Sequence, residues 1–189
     1  MPGPDPARQG GPGRNDQLFL GQTMLIFFPN PHGYLYPDFL LDEVMPAVAE
    51  RYRVEMDREH IAIGGSSYGA LAALYAVIHR PGKFGRVLLE STPTFIAEDK
   101  IMKEAGRCHE WPGRAYIGIG TKETPDEVLN KAAIPRARQL LELIMNTSPG
   151  TRVELVVGEG DSHSARAWSR RLPGALEYLF GPFASPIAK

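Results

Sequence analysis

Five short apolar runs alternate with longer helix-like segments along the chain, and this alternation limits the fold more than any other feature. The runs are four to six residues long and end near Gly, Pro, Asp or Thr, which is typical of strands buried on both faces. Strands that alternate with helices build a parallel sheet, so the pattern predicts an α/β fold of about five strands with helices on both faces. The predicted strands are Thr23–Phe28, His60–Ile63, Arg86–Leu89, Ala115–Ile119 and Arg152–Val157, and the predicted helices are Pro37–Tyr52, Tyr68–His79, Ile96–Ala105, Asn130–Asn146 and Ala165–Phe180.

The chain has 189 residues, the usual size of one domain. Residues 1–16 are rich in Pro and Gly and poor in apolar side chains, so we expect a disordered tail before a single domain at 17–189. The one cysteine, Cys108, excludes an internal disulfide. No secretory signal and no apolar run near the length of a membrane helix is present, so we expect a cytoplasmic protein.

The loop after the second predicted strand contains G-x-S-x-G with Ser67 at its centre. So tight a turn leaves no room for side chains two residues before and after the serine, and we expect Gly65 and Gly69 to meet that constraint. The serine would then be strained at a helix N-terminus, with the Tyr68 N–H facing a developing oxyanion. The pattern predicts a nucleophilic serine.

Two other interpretations of this turn stay open. A dinucleotide-binding turn also follows a strand, and Glu90 ends the next strand where a ribose-binding acid would lie. However, Gly64, Gly65 and Gly69 do not follow the G-x-G-x-x-G spacing. A plain turn that packs a helix against a strand is the other interpretation.

A nucleophilic serine needs a base and an orienting acid, which in this fold follow later strands. Of the five histidines, His163 is the one in a Gly-rich loop between a predicted strand and a helix. Glu123 ends the turn after the fourth predicted strand, with Asp126 as the alternative acid and Asp161 as a third candidate. We expect Ser67, His163 and Glu123 to act together. The histidines and carboxylates show no convincing ligand spacing, so no metal and no cofactor is predicted.

The segment Ile61–Pro93, IAIGGSSYGALAALYAVIHRPGKFGRVLLESTP, resembles the putative-esterase family of α/β hydrolases, which includes enterochelin esterases and S-formylglutathione hydrolases. Phe39–Val54 is similar to the family's helix before the serine turn. The turn GIGTKE is similar to its acid turn, with Glu123 at the place of the acid. Gly158–Phe180 is similar to its histidine segment and final helix. The resemblance implies an α/β-hydrolase fold that cleaves esters.

Family members carry a longer N-terminal half, with several strands before that helix and an oxyanion-hole loop, so the chain resembles an N-terminally truncated member. We expect Thr23–Phe28 to fill the strand position next to the serine strand, because a gap there would leave buried backbone groups unpaired. The backbone of Asn30–Gly33 would then supply the second oxyanion donor, and we name Gly33 for that role. The alternative is an open sheet edge with doubtful activity.

The residue pattern and the resemblance to the putative-esterase family together predict a serine hydrolase that cleaves a small-molecule carboxylic ester through an acyl-enzyme on Ser67. The alternatives are an acyltransferase of the same fold, a catalytically weak truncated relic, and a nucleotide-binding α/β module. A formal net charge of -1 predicts neither nucleic-acid nor membrane binding. The edge of a short sheet can pair with another copy, so a homodimer is a further expectation.

Overall fold

The computed structural model describes residues 33–181, which fall into two compact units. The first unit ends at Leu35, and its described part is one 3-10 turn, Gly33–Leu35. The second unit begins at Tyr36. The predicted tail at 1–16 and the predicted strand Thr23–Phe28 lie outside the described residues. The domain boundary expected at residue 17 therefore stays a prediction.

Four parallel strands in the order β1-β2-β3-β4 form the sheet of the second unit within the described residues, and the fold is α/β as predicted. Parallel neighbours cannot be joined by tight hairpins, and helices make the crossovers here. The strands are β1 (Ala62–Ser66), β2 (Arg86–Glu90), β3 (Arg114–Lys122) and β4 (Arg152–Ser162), and the main helices are α1 (Met45–Arg51), α2 (Tyr68–His79), α3 (Lys100–Ala105), α4 (Glu127–Thr147) and α5 (Ala165–Phe180).

The core lies around β3, where every residue from 114 to 120 is buried. Successive side chains of a strand point to opposite faces, so both faces of β3 are covered. Helix α2 packs against β1 and β2, while α4 packs against β3 and β4. Helix α5 packs against β2, β3 and β4, with Ala175 and Leu179 on Tyr116. These helices hold the strand ends in fixed positions.

The helix predicted at Pro37–Tyr52 is interrupted. An α turn at Tyr36–Asp38 leads into a π-helical stretch at Phe39–Val44, and α1 follows with Pro46 in its first turn. Proline has no N–H to donate to the preceding turn, and its ring crowds that turn. The wider π stretch before Pro46 accommodates this mismatch.

Several predicted boundaries differ from the structure, and three of the differences have a clear physical cause. The second predicted strand begins at Ala62, because residues 58–60 form a 3-10 turn. Helix α3 begins at Lys100 and not at Ile96, since the three residues before it have positive φ angles that stop a right-handed helix. Strand β4 continues to Ser162, five residues beyond its predicted end, because its Gly-rich tail stays paired with β3 as far as Lys122.

No described helix combines the length with the apolar character that crossing a bilayer requires.

Candidate active site

The first residue after each of the four described strands lies at one edge of the sheet. Ser67 follows β1, Ser91 follows β2, Glu123 follows β3 and His163 follows β4. Carboxyl ends of parallel strands meet at the same edge, which is where ligands bind in open α/β sheets. Hydrogen bonds join these four side chains into one group.

Ser67 occupies the turn between β1 and α2 with φ 55° and ψ -125°, a backbone conformation that L-residues rarely adopt. Its N–H donates to the Glu90 carbonyl, which fixes the turn against β2. A Cβ on Gly65 would lie 2.5 Å from the Gly69 carbonyl carbon, so Gly65 is required as predicted. A Cβ on Gly69 would meet no described atom within 4 Å, so within the described residues no close contact requires the glycine expected there. The backbone approach therefore constrains one of the two glycines.

His163 joins the serine to the acid. Its Nε2 lies 2.9 Å from Ser67 Oγ, and its Nδ1 lies 2.7 Å from Glu123 Oε2. A carboxylate can only accept, so Nδ1–H donates to Glu123, and Nε2 can accept the Ser67 hydroxyl when it carries no proton. Ser164, the next residue, caps α5 by accepting from the Ala167 N–H, which anchors the histidine loop.

Glu123 is almost fully buried and accepts several hydrogen bonds. Burial by itself would raise the pKa of this carboxyl. Hydrogen bonds from His163, the Gly120 N–H and Ser91 outweigh burial and hold the pKa of Glu123 below its ordinary value. Asp126, the alternative acid, instead accepts the Val128 and Leu129 N–H groups as the N-cap of α4. Of the two, Glu123 is the carboxylate in contact with the histidine.

Ser91 is a component of the site that the sequence analysis missed. Its side chain is buried, and its φ of 49° is strained for a residue other than glycine. The hydroxyl donates to Glu123 Oε1 at 2.8 Å and accepts from Trp168 Nε1 at 2.9 Å. The indole also packs edge-on against the His163 ring, 5.1 Å between centroids. Its place directly after a strand, shared with the other three side chains, was the signal that could have revealed it.

A buried ion-pair network lies next to this group. Glu90, the residue before Ser91, binds Arg171 of α5 through Nη2 at 2.7 Å and Nε at 3.1 Å. Asp161 accepts from Arg171 Nη1 at 2.5 Å and also pairs with Arg170. Burial raises the pKa of Glu90, and Arg171 offsets this only in part. The carboxylate of Glu90 is therefore engaged by an arginine, and the ribose-binding role considered for it is wrong.

Glycines in β3 and β4 make space for this network. A Cβ on Gly118 would overlap the Glu90 carboxylate, and a Cβ on Gly158 would overlap Asp161 and Arg171. The absence of side chains at these two glycines thus admits charged groups between the sheet and α5.

A cavity of about 280 Å³ opens beside Ser67 and His163. The segment after β2 forms one wall, where Phe95 is partly exposed. The other wall is a stripe of α4 that includes Leu129 and Arg136. The walls are mainly apolar, as is usual for small-molecule sites.

The remaining sequence candidates lie elsewhere or stay untested. Trp111 lies outside the cavity lining, where it is buried and donates to Cys108 O and Thr147 Oγ1. Gly33 belongs to the first unit, so its oxyanion role stays a prediction. Among the described residues, one cluster has metal-ligand spacing; its members, Glu55, Asp57 and His60, are exposed, and such groups are common without an ion.

Comparison with known proteins identifies the family and the fold. The family model of the Putative esterase family matches residues 29–179. The chain belongs to this family. It is 25% identical over 141 residues, 75% of its length, to an endo-1,4-beta-xylanase/feruloyl esterase of Xylanibacter ruminicola. It is also 46% identical over 50 residues, 26% of its length, to an iron(III) enterobactin esterase of Dickeya dadantii.

Solved structures of esterases have the same fold. A ferulic acid esterase superposes with a TM-score of 0.61 at 18% identity, over 76% of this chain and 60% of that one. The enterobactin esterase of Shigella flexneri superposes with a TM-score of 0.61 at 23% identity, over 76% of this chain and 37% of that one. The chain spans only 17% and 12% of the two relatives above. It therefore corresponds to part of each of these proteins.

Proposed function

We propose that this member of the Putative esterase family hydrolyses carboxylic esters through an acyl-enzyme on Ser67. The observation that carries the proposal is the hydrogen-bonded series from Ser67 Oγ through His163 to Glu123, all three of which line an apolar cavity. Relatives named as feruloyl and enterobactin esterases, one of them 46% identical over a segment of 50 residues, support the reaction class.

In the first half of the proposed reaction, Ser67 Oγ attacks the ester carbonyl carbon while its proton moves to His163 Nε2. The carbonyl π electrons move to oxygen, and their return expels the alcohol oxygen, which takes the proton from Nε2. In the second half, water attacks the acyl carbon, His163 accepts its proton, and the acid leaves as Ser67 regains a hydrogen.

Glu123 orients the imidazole and stabilises its protonated form. The depressed pKa of Glu123 keeps its carboxylate ionised, so it holds the Nδ1 proton and favours the imidazolium formed when Ser67 reacts. Buried hydrogen bonds from Ser91 and Gly120 prevent the carboxylate from turning away.

Oxyanion stabilisation is assigned to the Tyr68 N–H. Tyr68 is the first residue of α2 and lines the cavity, and the first N–H groups of a helix have no acceptor within the helix. This N–H can therefore donate to the negative oxygen of the tetrahedral intermediate, with the helix dipole adding to the attraction.

The proposal is tested by serine substitution with a neighbouring serine as matched control. We expect Ser67→Ala to lower p-nitrophenyl butyrate hydrolysis by about 10⁴-fold or more and to abolish labelling by a fluorophosphonate probe. Ser66→Ala, one residue earlier at the end of β1, should leave both nearly unchanged. Peptide mapping should find the label on Ser67. Equal labelling of the wild type and Ser67→Ala would refute the proposal.

A further inference from the structure

Arg136 is the one arginine or lysine among the described side chains that line the cavity beside Ser67. Glu123 is the one acidic residue there, and its carboxylate is engaged by His163. The other walls are apolar or carry hydroxyl groups, including Phe95, Ile119 and Leu129. A cation in such a wall is costly to desolvate unless an anion meets it. Its position therefore bears on which substrates the cavity accepts.

The position of Arg136 follows from the helix that carries it. Leu129, Ala132, Ala133 and Arg136 all line the cavity, with the spacing of one face of α4. Leu129 and Arg136 are about 10 Å apart along the helix axis, at 1.5 Å per residue. Helix α4 begins shortly after Glu123, so this face leads away from the reacting groups. A substrate extending from Ser67 along this wall reaches the guanidinium after an apolar stretch.

Asp99 holds the Arg136 guanidinium in place but does not use all of its N–H groups. Arg136 Nη1 binds Asp99 Oδ1 at 2.5 Å, and within the described residues this is the one ion pair of Arg136. Asp99 is about half exposed and does not itself line the cavity. A guanidinium can bind a carboxylate through a pair of parallel N–H groups, so those not used by Asp99 remain for a ligand.

We infer that the cavity selects esters carrying a carboxylate at the end remote from the scissile bond, and that Arg136 binds this carboxylate. The inference rests on the proposed esterase function. The apolar stretch of α4 accommodates the connecting carbon chain, while Asp99 orients the guanidinium and competes with the ligand for its charge. Arg136 is thus a specificity-determining residue and takes no part in bond making.

The test compares matched esters on the wild type, Arg136→Leu and Arg138→Leu. Arg138 lies on the same helix with an exposed side chain outside the cavity lining, which makes it the control. The acyl pair is mono-p-nitrophenyl glutarate against p-nitrophenyl pentanoate. The alcohol pair is 4-(pentanoyloxy)benzoate against phenyl pentanoate. In one of the pairs, Arg136→Leu should lower kcat/KM for the anionic ester about tenfold or more and change that for the neutral ester less than about twofold.

The pair that responds identifies which half of the ester occupies the cavity. Arg138→Leu should change neither pair, and Asp99→Asn should raise kcat/KM for the responding anionic ester by freeing Arg136. If Arg136→Leu lowered kcat/KM equally for the anionic and the neutral ester, or lowered it preferentially in neither pair, the inference would be overturned while the esterase function would stand.

A binding measurement keeps the two proposals distinguishable. Calorimetry on Ser67→Ala compares two amide pairs that match the ester pairs: N-ethylglutaramate against N-ethylpentanamide, and 4-(pentanoylamino)benzoate against N-phenylpentanamide. In one of the pairs the anionic amide should bind more tightly than the neutral one, and Arg136→Leu added to that background should remove the difference. Absence of turnover by the wild type would refute the esterase proposal, whereas equal binding within both amide pairs would refute the role of Arg136.

Discussion

Replacement of Arg171 by methionine removes the cation that Glu90 and Asp161 share beneath the strand ends. Asp161 would keep its contact with Arg170, but no other cation among the described residues pairs with Glu90. Breaking a buried pair from one side costs about 3–5 kcal/mol, because a charge stays buried without a partner. With a urea m-value of about 2 kcal/mol/M, the unfolding midpoint should fall by about 1.5–2.5 M.

The pH dependence of this loss identifies its cause. In Arg171→Met, burial and the neighbouring carboxylates of Glu123 and Asp161 all raise the pKa of Glu90, so its folded-state pKa rises further above the unfolded one. At a pH below the pKa that Glu90 has in the unfolded chain, the variant keeps its stability. This stability is lost as the pH rises through the pKa that Glu90 has in the folded protein. The deficit should be largest at about pH 8 and should shrink towards about pH 5.

The matched control is the double variant Glu90→Gln/Arg171→Met, which removes both charges and should recover most of the lost stability. Urea unfolding followed by tryptophan fluorescence gives all three values. A deficit below about 1 kcal/mol at the higher pH, or a double variant no more stable than Arg171→Met, would contradict the reasoning.

Two further predictions concern the strand ends. Ser91→Ala removes a hydrogen bond to the Glu123 carboxylate, so kcat/KM for p-nitrophenyl butyrate should fall about 10- to 100-fold. Loss of this hydrogen bond should also raise the pKa of Glu123, so the acidic limb of the pH profile should move to higher pH. Ser91→Gly should be equally slow but more stable than Ser91→Ala, since glycine tolerates the φ of 49°. Gly65→Ala should destabilise the fold in urea by about 2 kcal/mol or more, whereas Gly69→Ala should be neutral or slightly stabilising, because its Cβ meets no described atom.

The fold class and the association of Ser67, Glu123 and His163 could be predicted because periodicity and chain order carry that information. Each of these residues has a recognisable chemistry and follows an apolar run, and parallel strands bring such positions together. Ser91 was missed, because its importance comes from contacts with Glu123 and Trp168, which are far away in sequence, and its position after a strand was the one local signal.

Element boundaries failed for a related reason. The end of β4 has the glycines of a loop but stays a strand because β3 pairs with it, and tertiary pairing outweighs local preference. The start of α3 depends on Ala97, Glu98 and Asp99, whose positive φ angles could not be predicted from their residue types.

The adjacent residues Glu90 and Ser91 belong both to the buried ion-pair network and to the candidate active site. The Glu90 carbonyl accepts from the Ser67 N–H, its carboxylate binds Arg171, and the next hydroxyl supports Glu123. Thermal stability and catalytic rate therefore both depend on Glu90 and Ser91. An engineer who redesigns the charged interior for heat tolerance would therefore have to rescreen every variant for rate, since neither property can be adjusted in isolation.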